Sequence, residues 1–193
     1  SAALGAGAEP APGDYNGDGL ADMAVYNIPG GEWKVLLTAT GGVTAVQFRA
    51  QDFRAAQCDM DGDAKTDPVV YREADGCWLA SASSMGYASC SALLGAAGFE
   101  AVPADYDGDG LADPAVYQES TGVWVFLLSS ANYVLVASGQ SFGGPGFMAV
   151  PADYDGDGLA GPALYSPNTA CWQVLLSGSL AAQGAYTYQT FNA

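Results

Sequence analysis

The chain has 193 residues, half of them apolar, with 21 acidic side chains against 5 basic ones, a net charge of -16 and no histidine. Five cations cannot form a phosphate-binding patch, which excludes nucleic acid as a partner, and no apolar run approaches the roughly 18 residues of a membrane helix. Without histidine, and with Asp52, Asp75 and five scattered glutamates as the only carboxylates outside four acidic loops, no acid–base pair is available and the sequence reads as non-catalytic.

The first element with a clear signature is an acidic loop, 14–22, which reads Asp-Tyr-Asn-Gly-Asp-Gly-Leu-Ala-Asp. It returns at 59–67, 105–113 and 153–161, at intervals of 45, 46 and 48 residues. After each loop comes a tyrosine (Tyr26, Tyr71, Tyr117, Tyr165), and seven residues later a tryptophan (Trp33, Trp78, Trp124, Trp172). Then follow an apolar strand, a turn rich in Gly, Ser and Asn, and a second β-rich stretch. Phenylalanines (Phe48, Phe142, Phe191, then Phe53, Phe99, Phe147) mark its end and the run into the next loop. Pro68, Pro114 and Pro162 stand where a strand begins and a missing N–H is tolerable. Helical periodicity is absent.

A period of 40 to 50 residues is that of a propeller or array. The repeats fall at 8–52, 53–98, 99–146 and 147–193, and together form one domain. The expected fold is all-β, a four-bladed β-propeller of repeats about 46–48 residues long. Residues 1–7 are left as a spare segment, able to cap its own ring or to add to an edge of a neighbouring molecule.

Loop positions 1, 3, 5 and 9 carry carboxylates, the hard oxygen ligands that calcium takes. The expected ligands are Asp14, Asn16, Asp18 and Asp22; Asp59, Asp61, Asp63 and Asp67; Asp105, Asp107, Asp109 and Asp113; and Asp153, Asp155 and Asp157. The backbone carbonyls of Leu20, Lys65, Leu111 and Leu159 are placed to add one oxygen each. Fourteen aspartates at these positions account for most of the acidity, and four divalent ions would halve the net charge. Up to four calcium ions are expected, weakly held, at about 10⁻⁴–10⁻³ M as in extracellular modules. The copies differ. Asn16 removes a charge, Ala64 replaces a glycine and strains the second loop, and Gly161 removes a ligand, so the fourth site should be weakest. An EF-hand is excluded because the glutamate at position 12 and the flanking helices are missing.

The segment Phe147-Met-Ala-Val-Pro-Ala-Asp-Tyr-Asp-Gly-Asp-Gly-Leu-Ala-Gly-Pro-Ala-Leu-Tyr165, with Ser120-Thr-Gly-Val-Trp124 in the third repeat, resembles the FG-GAP or VCBS-type repeat in its bacterial form. The resemblance covers essentially the whole chain. It implies one propeller blade per repeat, with calcium in the hairpin between a blade's first two strands. The ligand role passes to the aspartates above and to Asn16, but not to Gly161. Such propellers serve adhesion, sugar binding and display alike, so the family does not fix a function.

Four cysteines in an acidic, Gly/Ser-rich chain point to an oxidising, extracellular setting. Cys77 and Cys90 are expected on consecutive strands, close enough to pair; Cys58 and Cys171 are candidates for an intermolecular bond or for buried thiols. The chain begins at Ser1 with no signal-peptide pattern, as a processed secreted protein would. Lys34, Arg49, Arg54, Lys65 and Arg72 all lie in the first two repeats, an asymmetry that steers a head-to-tail contact unless it is chance. The expected role is a secreted structural or adhesive unit that self-associates, as a filament, or binds other extracellular proteins or glycans. A lectin with tryptophan or tyrosine faces between blades is the alternative, and a half-propeller pairing into an eight-bladed ring the third.

Overall fold

The computed structural model describes residues 8–48, 51–84, 88–137, 142–176 and 187–192. They form sixteen strands and, among the described residues, no helix. None is therefore long and apolar enough to cross a membrane. The segment 1–7, Arg49, residues 85–87 and the side chains of Cys90 and Phe191 lie outside what the structure describes.

Each repeat builds one four-stranded antiparallel sheet, with the strands in chain order. The first sheet holds β1 (Ala8–Pro10), β2 (Met23–Asn27), β3 (Glu32–Leu36) and β4 (Val43–Gln47). The second holds β5 (Arg54–Ala55), β6 (Val69–Arg72), β7 (Cys77–Ala82) and β8 (Ala88–Leu93). The third holds β9 (Glu100–Ala101), β10 (Ala115–Gln118), β11 (Val123–Leu128) and β12 (Val134–Ala137). The fourth holds β13 (Met148–Ala149), β14 (Ala163–Ser166), β15 (Cys171–Leu176) and β16 (Thr187–Asn192). The sheets fall into two compact units, Ser1–Leu93 and Leu94–Ala193, each with two sheets.

The Tyr-x₆-Trp spacing is explained by register. Tyr26 pairs with Trp33, Tyr71 with Trp78, Tyr117 with Trp124 and Tyr165 with Trp172 across the central hairpin of each sheet. Directly opposed residues share a face, so each pair lays two rings side by side, with centroids 4.8–5.7 Å apart. In the first unit Tyr26, Trp33 and Val35 pack with Phe53 and Val70 of the second repeat. In the other, Tyr117, Trp124 and Phe126 pack with Leu164 and Leu175 of the fourth. Trp33, Trp78 and Trp124 are buried, which makes them packing residues; removing one such ring costs about 3–5 kcal/mol.

Pro68, Pro114 and Pro162 stand immediately before their strands. Their carbonyls extend the ladder by accepting the N–H of Ser81, Leu127 and Leu175. A proline there forfeits no bond, since the position contributes an acceptor.

The register corrects the expected pairing of Cys77 with Cys90. Cys77 is opposite Leu93, while Cys90 is opposite Ala80. Three residues of strand separate the two by roughly 10 Å, beyond what a disulfide spans. Cys77 and Cys171 are thiols, both half-buried.

The cation asymmetry has a local explanation. Lys34 pairs with Glu32, Arg54 with Glu9, Lys65 with Asp63 and Arg72 with Asp75. Each of these four charges is matched within its own unit, so the described cations of the first two repeats all have acidic partners.

Candidate metal centre

The acidic loops are the connections between the first and second strands of each sheet. Each is closed at its base by an isolated bridge: Gly13 with Asp22, Cys58 with Asp67, Ala104 with Asp113 and Ala152 with Gly161. Between those clasps the chain must turn tightly, and at loop position 6 it takes a left-handed conformation. Gly19, Gly110 and Gly158 have φ of 82°, 87° and 90° there. Ala64 holds the same place at φ 64°, so the second loop carries the expected strain, about 1–2 kcal/mol for a side chain in that region.

The aspartate at position 1 organises the turn. Asp105 accepts the N–H of Gly108 at 2.6 Å and of Gly110 at 2.9 Å. Asp153 does the same for Gly156 and Gly158, Asp59 for Gly62 and Ala64, and Asp14 for Gly17 and Gly19. These bonds favour the ionised form. They hold Asp153 below the usual carboxylate range, and hold Asp14 below it despite the opposing effect of desolvation. Position 5 is fixed in the same way, with Asp18, Asp63, Asp109 and Asp157 each accepting the N–H two residues on.

Position 9 behaves differently from the rest. Asp22, Asp67 and Asp113 are at most 1 % exposed. Each uses both oxygens as a clamp. Asp113 accepts the N–H of Tyr106 at 2.9 Å and of Ser129 at 2.7 Å, tying the loop to the end of β11. Asp67 holds Met60 and Ser83, and Asp22 holds Tyr15 and Thr38. Burial pushes the Asp67 carboxyl up to about 6, and raises Asp113 likewise, with the neighbouring Asp61 and Asp107 charges acting in the same direction.

These bonds reveal partners that sequence reasoning missed. Ser83 and Ser84 donate to Asp63 and Asp61, and Ser129 and Ser130 donate to Asp109 and Asp107. Their signal was a constant spacing. Thr38, Ser83 and Ser129 each lie 16 residues beyond the ninth loop position.

Of the expected ligands, the structure brings together three groups whose carboxylate oxygens lie within 4.8 Å of one another: Asp59, Asp61 and Asp67; Asp105, Asp107 and Asp113; and Asp153, Asp155 and Asp157. In the first loop Asn16 occupies position 3 and its amide donates to Asp18 at 3.0 Å. In the second, the Lys65 ammonium pairs with Asp63 at 2.9 Å, and together with the Ser83 hydroxyl it depresses that carboxyl. The third group fits a cation best: the buried Asp107 Oδ1 lacks a hydrogen-bond partner. A buried, unpaired carboxylate oxygen is costly, and a hard divalent ion would satisfy it. The donor set fits such an ion, being all oxygen.

Gly161 cannot simply be restored to the pattern. A Cβ at 161 would stand 2.5 Å from the Leu175 carbonyl oxygen, a backbone atom of β15 that cannot swing away. Gly161→Asp is therefore expected to destabilise the protein by about 1–3 kcal/mol rather than repair the site. A thermal melt in calcium checks this, with a fall in melting temperature as the outcome.

The tyrosines at loop position 2 are mostly structural. Tyr15 and Tyr106 are buried, and their hydroxyls donate to the carbonyls of Ala11 and Val102. Tyr154 makes the matching bond to Val150 but is 44 % exposed. No protein-family model, curated protein or solved structure matches this chain.

Proposed function

We propose that the four sheets are blades of an FG-GAP-type β-propeller whose acidic hairpins hold calcium, and that the protein is a non-catalytic structural or adhesive unit working outside the cell. The observation that carries the metal reading is the orphaned Asp107 Oδ1 within the Asp105, Asp107 and Asp113 group. The same loop stands in the same hairpin of every sheet, which supports a repeated role in stability over a single reactive centre. Calcium among these side chains supplies neutralising charge and cross-links the hairpin. The residues themselves supply the cage: position 1 curls the loop, positions 3 and 5 present oxygens, and position 9 anchors it to the next strand.

The extracellular setting is part of the same proposal: calcium sites that fill only at millimolar concentration suit the outside of a cell. The lectin alternative loses three of its platforms, since Trp33, Trp78 and Trp124 are buried. Calorimetric titration tests the reading. Two to four calcium ions per chain are expected, with dissociation constants about 10⁻⁴–10⁻³ M and a marked preference over magnesium. Less than one ion bound at about 10 mM calcium would overturn it.

A further inference from the structure

We infer that Lys65 is a resident cation of the second acidic loop, holding that loop together without metal and lowering its affinity for calcium. The inference rests on the calcium reading and adds to it a residue that decides how far a loop depends on the ion. Loops two and three are matched closely enough to isolate its effect. Asp59 and Asp105 each accept two N–H groups of their own turn. Asp67 and Asp113 form the same clamp. Ser84 and Ser130 donate alike to Asp61 and Asp107, and Ser83 and Ser129 to Asp63 and Asp109.

The two loops part at position 7, where the second has Lys65 and the third Leu111. The Lys65 ammonium donates to Asp63 Oδ2 at 2.9 Å, the same oxygen that takes the Ser83 hydroxyl. Leu111 offers only its N–H, which Asp109 accepts. At position 3, Asp61 Oδ1 accepts the N–H of Asp63 at 3.3 Å, while the matching Asp107 Oδ1 is the oxygen without a partner. Each loop carries four aspartates, and of the two only the second brings a positive charge of its own.

The lysine is also held in place. Its stem lies against the first loop, where a Cβ on Gly17 would stand 3.2 Å from Lys65 Cε. The next N–H along, that of Thr66, donates to the Asp14 carbonyl at 2.7 Å. A lysine on an open surface gives up rotamer freedom to make an ion pair and gains little. Here packing of the stem has already restricted it, and the Asp63 side chain is only 17 % exposed. Without metal, the ammonium offsets repulsion among the four carboxylates. With metal, a fixed unit charge about 4–6 Å from a divalent ion weakens binding roughly tenfold or more, even at the dielectric of water. The second loop therefore gains less from calcium than the third.

Two mirror-image substitutions on the full chain test this, Lys65→Leu and Leu111→Lys. Leucine is the residue at position 7 of the other three loops, so the first change introduces nothing foreign to the repeat. Hydrogen exchange of peptides spanning 59–67 and 105–113, followed by mass spectrometry through a calcium titration, reports each loop separately. Lys65→Leu is expected to lower the calcium concentration that protects 59–67 about tenfold. In EDTA it should speed exchange there about two- to fivefold, and leave 105–113 unchanged. Leu111→Lys should do the opposite at 105–113, requiring about tenfold more calcium and slowing exchange in EDTA. If Lys65→Leu loses its β-sheet circular dichroism, Lys65→Gln replaces it, keeping a long stem without the charge. Calcium midpoints equal to wild type in both variants would overturn the inference, as would exchange in EDTA that ignores both substitutions. Failure of the calcium reading looks different: neither loop of any of the three proteins would respond to calcium, and the inference would fall with it.

Discussion

Chelation with excess EDTA is expected to lower the melting temperature by about 10–20 °C relative to millimolar calcium. An ion bound only to the folded chain, at a concentration ten times its dissociation constant, stabilises by about 1.4 kcal/mol per site, so four sites give on the order of 5 kcal/mol. For a chain of this length each kcal/mol is worth about 2–4 °C. The pH dependence should change sign with the metal. In metal-free protein the Asp67 carboxyl stands at about 6, against an ordinary 3.8, because burial penalises its charge. A raised acid destabilises the fold once ionised, so stability falls as pH rises from about 4 to 6, by on the order of 3 kcal/mol for this residue. Asp113, also raised, adds to the effect. Asp14, Asp63 and Asp153 are depressed and act oppositely: their contribution is present above 3.8 and is lost as pH falls further. In EDTA, acidification from pH 7 to about 5 should therefore raise the melting temperature. In calcium it should lower it, as protons compete for the ligand oxygens. Identical melts with and without chelator at both pH values would sink the metal reading.

Asp113→Ala is expected to cost about 3–5 kcal/mol even in EDTA, which separates its role as a clamp from any role as a ligand. Both of its oxygens accept buried backbone N–H groups, from Tyr106 and Ser129. Truncation strands both donors, at about 1–3 kcal/mol each. Asp113→Asn keeps one acceptor and should cost roughly half as much. The matched control is Asp109→Ala at an exposed loop position, whose loss should matter little without metal and abolish the third site's contribution with it. Urea denaturation of the three variants with and without calcium gives the comparison. Equal losses for Asp113→Ala and Asp109→Ala in EDTA would contradict the clamp.

Much of this molecule was legible in its sequence because the decisive contacts are local. A nine-residue loop closes on itself through Asp105 and its own Gly108 and Gly110, and a six-residue gap between Tyr117 and Trp124 is what one tight hairpin requires. Repeated four times, such features foretell four sheets, their strand order and the gathering of acidic side chains. The sequence could also identify Ala64 as strained, since only the backbone preference of one residue was at issue.

What tertiary structure alone decided was whatever depends on register or on a neighbouring sheet. Cys77 and Cys90 seemed near in chain terms, but antiparallel pairing slid them three residues apart. Ser129 and Ser130 serve a loop some 20 residues earlier, and a constant spacing from the ninth loop position is the one trace of it in the sequence. The ninth-position aspartates, alike in sequence to their fellow acids, became buried clamps because both of their oxygens meet backbone N–H groups, one from their own loop and one from beyond the sheet's third strand. Equivalent residues such as Tyr106 and Tyr154 share a sequence context yet differ in exposure, because burial is conferred by what packs on a side chain and not by the residue itself.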